Sequence, residues 1–273
     1  MYSLRQWAAS RPVICFYILT ISISWSYWLA LLARGEQVHP GSTATHLPGL
    51  MGPMIAAVVV TWVAFGRAAL LDFLRSAVIL PRPRLRNALL ALSPVFIGGA
   101  TFLALAATGT PLPSFEEFGA YPGTPAGTPF LLLLVVVLVL NGYGEEAGWR
   151  GFATRILAPR LGKFRATLVV AALWMVWHLP LFWLNANMQA LVGPVLLGWV
   201  FGILCAAFLL AGLYFASKNS ILVVAIWHTL YNFTVATPAG IGTAAAVITT
   251  VVMAWGAYFA FGWWRDARTN NKV

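Results

Sequence analysis

Long apolar runs dominate the chain and are interrupted at intervals by short polar, Pro-marked or Gly-marked breaks. A helix crossing a bilayer takes roughly 20 such residues. Eight stretches meet or approach that length: 13–33, 47–65, 87–108, 129–149, 166–184, 191–216, 219–235 and 241–264. In lipid, backbone polar groups have to be satisfied within the spanning structure, which leaves the helix as the natural spanning element for runs this long. The pattern predicts an all-α fold, a polytopic transmembrane bundle of about eight spans. Residues 1–273 are expected to form a single integral membrane domain. The first stretch, Val13 to Ala33, is too long for a signal-peptide core and lacks a small-residue cleavage site, so it reads as a retained span. No internal period of 20 to 50 residues is present, so the usual pointer to a repeat-built transporter is missing.

Composition agrees: 60% of residues are hydrophobic, only 9% are charged, and the mean hydropathy is +0.82. The net charge of +10 would suit nucleic acid in a soluble protein. Its distribution points elsewhere. With the N-terminus inside, the inner segments hold Arg5 and Arg11; Arg67, Arg75, Arg82, Arg84 and Arg86; Arg150, Arg155, Arg160, Lys163 and Arg165; Lys218; and Arg265, Arg268 and Lys272. That set is 16 of the 17 basic residues and leaves only Arg34 outside. The positive-inside rule then places both termini in the cytoplasm, with the chain in a plasma-type membrane. No nucleic-acid-binding motif accompanies the charge, so nucleic acid is not an expected partner.

The breaks carry little chemistry of their own. Residues 67–86 form a basic inner segment, with a short surface helix ending at Pro81 and Pro83. Residues 110–128 form a Pro/Gly/Thr-rich outer loop whose Glu116 and Glu117 read as a solvated face. The 150–165 stretch extends the fourth span until a break near Pro159 and Gly162. Trp7, Trp28, Trp62, Trp263 and Trp264 fall near span ends and read as interfacial anchors. Cys15 and Cys205 lie inside predicted spans, share no metal or redox spacing, and read as small apolar residues.

Against this background the intramembrane polar residues stand out. Of the seven acids only Glu145 and Glu146 end an apolar run, Leu131 to Leu140. A carboxylate deep in a bilayer costs roughly 2.5–3.5 kcal/mol on insertion scales, so it needs a partner. Arg150, four residues after Glu146, can form a helical ion pair with it. Glu145 points about 100° away and is left free for another task. His39 and His46 fall in the first outer loop and read as solvated, whereas His178 and His228 fall within spans. At about 1.5 Å per residue from the inner ends, His178 is roughly 18 Å deep and His228 roughly 14 Å. Asn232 follows His228 by one turn on the same face, and Trp174 precedes His178 by one turn. Each residue alone could be hydrogen-bonding glue between helices. Together they are the types used for water activation, or for proton relay in a transporter.

Three ordered motifs sharpen the choice. Glu145-Glu146-Ala-Gly-Trp-Arg150 matches Glu-Glu-x-x-x-Arg, Trp174-Met-Val-Trp-His178 matches aromatic-x-x-x-His, and His228-Thr-Leu-Tyr-Asn232 matches His-x-x-x-Asn. In this order they resemble the CPBP family of intramembrane proteases, which includes the type II CAAX prenyl endopeptidases and bacteriocin-immunity (Abi) relatives. The resemblance covers Pro129 to Pro238, the expected family core. One departure is Trp174, where the family usually has Phe, a change expected to touch only local packing.

The resemblance implies cleavage of a peptide bond in a membrane-associated peptide or protein substrate, from the cytoplasmic side. Carried over by position, Glu145 and His178 would activate a water, and His228 and Asn232 would bind the developing oxyanion. Glu146 and Arg150 would hold the helix end in place. Glu145, His178 and His228 could instead hold zinc with an open position for water. The His-Glu-x-x-His helix of strong zinc motifs is missing, so a metal-free, glutamate-activated water stands as the competing mechanism. Two other classes stay open: a catalytically silent scaffold or immunity protein of the same fold, and a proton-coupled transporter.

Overall fold

A computed structural model describes residues 4–270, so the expected inner-side Lys272 lies outside the described residues. Among them there is no β-strand. In chain order the helices are α1 (Leu4–Ser10), α2 (Pro12–Ala33), α3 (Gly52–Val78), α4 (Arg84–Ala107), α5 (Phe115–Gly119), α6 (Phe130–Val137), α7 (Gly144–Gly148), α8 (Arg155–Trp177), α9 (Leu181–Leu184), α10 (Ala186–Gln189), α11 (Val195–Ala216), α12 (Ile221–Val235) and α13 (Thr243–Asn270). Two π-helical segments, Leu138–Tyr143 and Trp149–Thr154, flank α7, so residues 130–154 form one continuous helical rod.

Among the described residues six stretches are long and apolar enough to cross a membrane: Pro12–Ala33, Leu47–Val78, Arg84–Ala107, Phe130–Leu184, Val195–Ala216 and Thr243–Thr269. The fourth is 55 residues long, and Gly162, at φ 75°, breaks it into two legs. Ile221–Val235 is a shorter apolar helix. Each apolar stretch expected from the sequence therefore lies on a helix, with the fourth and fifth joined in the broken run. The basic segment after residue 65 is helical as well, continuing α3 past a left-handed Gly66 to Val78.

Proline and glycine punctuate these helices. Pro180, which has no N–H to donate, follows the end of α8 and leaves His178 as its C-cap. Ser220 caps α12, its Oγ accepting from the Val223 N–H. The acidic 110–128 loop is partly helical: Ser114 and Glu117 form a reciprocal capping box at the start of α5.

The rod 130–154 lies at the centre, packed against α3 on one side and α12 on the other, with α4 and α13 completing the bundle. Glycine permits the approach. A Cβ at Gly142 would collide with Thr229 and the Ala225 carbonyl on α12, and one at Gly148 with Pro53 at the start of α3. Without a hydrophobic force between helices in lipid, such close backbone contact is a main source of association. The outward faces stay apolar, with Ile14, Ile18, Leu103, Leu131 and Leu197 all exposed, as suits a lipid-facing surface. The two cysteines are free.

Two surface expectations fail. Trp28 is fully buried: its ring packs 5.0 Å from that of Trp177, and its Nε1–H donates to the His46 carbonyl at 2.9 Å. It is a core residue, not an interfacial anchor. His46 is buried too, at 8% exposure, because the first loop folds back over the bundle and meets the 121–125 segment through contacts such as Gly123 N–H to the His39 carbonyl. His39 is exposed, as expected.

Candidate functional site

The rod supplies Asn141, Glu145, Glu146 and Arg150 at four-residue and five-residue intervals, so they share one broad inward face. All four are buried. The π-helical segments on either side widen the helix locally and shift the phase of its faces, a distortion frequent at functional sites.

Glu146 forms the expected pair with Arg150, Oε1 to Nη1 at 2.8 Å, with both side chains fully buried. It also takes on a partner that spacing alone did not predict. The same Oε1 accepts from His228 Nδ1 at 2.7 Å, linking the rod to α12. Breaking a buried pair of this kind costs about 3–5 kcal/mol, since it strands a charge in a dry interior. Glu146 is thus the orienting group for His228 as well as the partner of Arg150.

Glu145 is not free, contrary to expectation. Its Oε1 accepts from Asn141 Nδ2 at 2.6 Å, and its Oε2 accepts from Trp174 Nε1 at 2.7 Å. The carboxylate is held at both ends, because an ionisable group at this depth is stable only with donors around it. Each oxygen still keeps a lone pair for a further hydrogen bond. The Trp174 contact also corrects the expectation for that position. A Phe ring could not donate this bond, so the indole adds a specific polar contact and not only packing. Trp174 lies at the hub of the site: the Arg150 guanidinium sits 4.4 Å over its ring, and the rings of His178 and His228 lie 5.6 and 5.9 Å away.

His178 donates from Nδ1 to the Trp174 carbonyl at 2.8 Å. A carbonyl can only accept, so this bond selects the tautomer whose Nε2 carries a bare lone pair. The ring is held edge-on between Trp177 and Trp199. The first span helps to position it: Trp25 Nε1–H donates to the Trp177 carbonyl at 3.0 Å, and Tyr17 reaches the Leu173 carbonyl at 3.3 Å.

Asn232 donates from Nδ2 to Asn141 Oδ1 at 2.5 Å. The side chain of Tyr121 lies close to Asn232, and its ring packs 5.3 Å from that of Phe233. Burial, followed by the negative charge of Glu145, pushes the Tyr121 phenol above its usual range. His178 and Asn232 are half-buried, whereas Glu145 and His228 are buried.

The structure thus gathers Glu145, His228 and Asn232 with His178 through shared partners. Sequence reading missed two of these, Asn141 and Tyr121. Asn141 carries a readable signal, a polar side chain one helical turn before Glu145 at the end of an apolar run. Tyr121 carries none, because only the path of the loop brings it to the site. Glu145, His178 and His228 do not assemble as a metal centre: among the described residues no group of three or more His, Cys, Asp or Glu side chains is arranged to hold a metal ion. The Nδ1 bonds of His178 and His228 leave Nε2 of each ring as the nitrogen that would face a metal, and no catalytic step is derived through zinc.

Comparison with known proteins points one way. Residues 127–234 match the family model described as type II CAAX prenyl endopeptidase Rce1-like. The chain is also 26% identical over 192 residues to CAAX prenyl protease 2 of Methanococcus maripaludis, an alignment covering 68% of this chain and 69% of that protein. The matched region contains all three motifs and every polar side chain of the site except Tyr121. Over its motif-bearing region the chain is thus similar to the type II CAAX prenyl endopeptidases, in agreement with the three motifs and the helical membrane fold.

Proposed function

We propose that the chain is an intramembrane endopeptidase that hydrolyses a peptide bond of a membrane-associated protein or peptide with a glutamate-activated water. The observation that carries this reading is the two-point hold on Glu145, which fixes a buried carboxylate beside the Trp174–His178 hydrogen bond. A carboxylate placed in this way has no structural partner of opposite charge of its own, since Arg150 and His228 are taken by Glu146.

In the proposed reaction a water lies between Glu145 and Nε2 of His178. As the water oxygen attacks the scissile carbonyl carbon, its proton passes to the carboxylate. The carbonyl oxygen becomes an oxyanion, met by Asn232 and His228. His228 Nδ1 is committed to Glu146, so donation from Nε2 requires the ring to carry both protons; Arg150 and His228 then face the two carboxylates Glu145 and Glu146. Collapse of the tetrahedral species breaks the C–N bond, and the proton held at Glu145 goes to the departing amine. Each fixed oxyanion donor contributes on the order of 10²–10³ in rate.

The expected orientation, with both termini cytoplasmic, belongs to this proposal, as does access from that side. Two observations support the access. The outer loops close over Tyr121 and His46. A cavity of about 290 Å³, lined in part by Phe65, Asp72, Gly151 and Arg155, lies beside the inner end of the rod. CAAX processing is the activity named for the archaeal relative, and a prenylated C-terminal peptide is accordingly the first substrate to try.

The test compares cleavage of an internally quenched farnesylated CAAX peptide, and the membrane C-terminal and neo-N-terminal proteomes of cells, for wild type, Glu145→Gln and His178→Ala. Both variants should insert and fold yet lose turnover by at least about 10³-fold. Full activity in both would remove the catalytic reading, and a cellular phenotype preserved in Glu145→Gln would show a binding role in its place. Elemental analysis of active protein checks the metal-free step: zinc near one per chain, with activity lost on its removal, would replace that step.

A further inference from the structure

The hydrogen bonds of Asn141 do more than satisfy a buried amide. Its side chain is 4% exposed and lies in the π-helical segment Leu138–Tyr143, where an apolar residue would be cheaper to bury. A carboxylate only accepts, so the amide nitrogen of Asn141 is the end that faces Glu145 Oε1, at 2.6 Å. That orientation turns its oxygen toward α12, where it accepts from Asn232 Nδ2 at 2.5 Å. The carboxamide therefore fixes which end of Asn232 faces inward. The Asn232 nitrogen points toward the site with one N–H committed to Asn141 and a second left for another acceptor, with the Tyr121 side chain close by.

We propose that Asn141 is a positioning residue that couples the water-activating carboxylate Glu145 to the oxyanion donor Asn232, setting the distance and orientation between base and donor across the gap from rod to α12. This rests on the catalytic reading given above. Asn141 touches neither water nor substrate in this scheme and acts through its two neighbours. Ordinary interhelical glue would also explain a buried Asn. The two roles differ in what they control: glue sets stability, whereas positioning sets kcat with KM unchanged and is silent once Asn232 is removed.

The experiment uses the full chain in lipid and the substitutions Asn141→Leu and Asn141→Asp, alone and combined with Asn232→Ala, on the farnesylated CAAX peptide. Leu removes both hydrogen bonds. Asp keeps an acceptor for Asn232 but cannot donate to Glu145, and it remains informative if Leu fails to fold. Expected for each variant is a roughly ten- to hundredfold fall in kcat, with KM within about twofold of wild type. Each double variant should be about as slow as the slower of its two parents, since residues acting as a unit are non-additive.

A second readout does not need turnover. The infrared carboxyl or carboxylate band that Glu145→Gln abolishes should move in Asn141→Leu. Wild-type kcat in both variants, fully multiplicative losses in the doubles, or an unmoved Glu145 band would each overturn the proposal. Full activity in Glu145→Gln would instead overturn the catalytic reading, while the infrared band would still report whether Asn141 bonds Glu145.

Discussion

At the residue scale, Trp174 is the side chain whose role differs most from what its aromatic character implies. Its indole N–H holds Glu145 Oε2 at 2.7 Å, its carbonyl sets the His178 tautomer, and its face carries the Arg150 guanidinium. Trp174→Phe keeps the carbonyl and an aromatic face but loses the donor. A hydrogen bond to a charged group is worth about 1.5–3 kcal/mol, so kcat should fall roughly ten- to hundredfold while the protein stays folded. Steady-state kinetics on the peptide substrate check this, and an unchanged kcat would reduce the indole contact to packing. The motif spacing made Glu145, Glu146, Arg150, His178, His228 and Asn232 legible one by one. It did not reveal which carboxylate takes which partner, because Glu145 and Glu146 are adjacent and two of their partners, Trp174 and His228, come from other helices.

At the element scale, the rod 130–154 is held by backbone approach at glycine and by loops that fold over one end. Gly148 faces Pro53 with no room for a methyl group, whereas a Cβ at Gly99 on α4 would meet nothing. Gly148→Ala should therefore destabilise by about 1–3 kcal/mol through overpacking. Gly99→Ala should be neutral or slightly stabilising, given the better helix propensity of Ala. Melting temperatures of the two variants in the same detergent compare them directly, and equal values would sink the argument.

The loops add a pH response. Burial pushes the His46 imidazole down to about 4, below an unfolded value near 6.5. Between these values the unfolded chain binds more protons than the folded one. Neutral His46 therefore contributes stability that is present above about pH 6.5 and is lost as the pH falls toward 4. Acidification from about pH 7.5 to about pH 5 should remove on the order of 2 kcal/mol through this group. A melting series should show a smaller drop in His46→Gln, and an identical drop would acquit His46.

At the scale of the whole molecule, the basic residues cluster in one set of segments, while the loops 34–46 and 110–128 hold one basic residue, Arg34, and three acids, Glu36, Glu116 and Glu117. Arg150 is fully buried against Glu146 and so adds nothing to an exposed basic face. The remaining bias still separates the termini, the 67–86 segment and the 155–165 leg from the loops that cover Tyr121 and His46. What the sequence determined by itself was the solvent, the helical class, the position of each long apolar helix and the identities of the motif residues. Hydrophobic length and spacing are local properties of the chain, and lipid leaves a long apolar run few alternatives to a helix. Only the tertiary structure decided that Trp28 and His46 are core residues, that Glu146 binds His228, and that Asn141, Trp174 and Tyr121 surround the reactive pair. Those facts depend on where loops and distant helices meet. A periodic pattern records which face of a helix is turned inward, and it carries no record of what is waiting there.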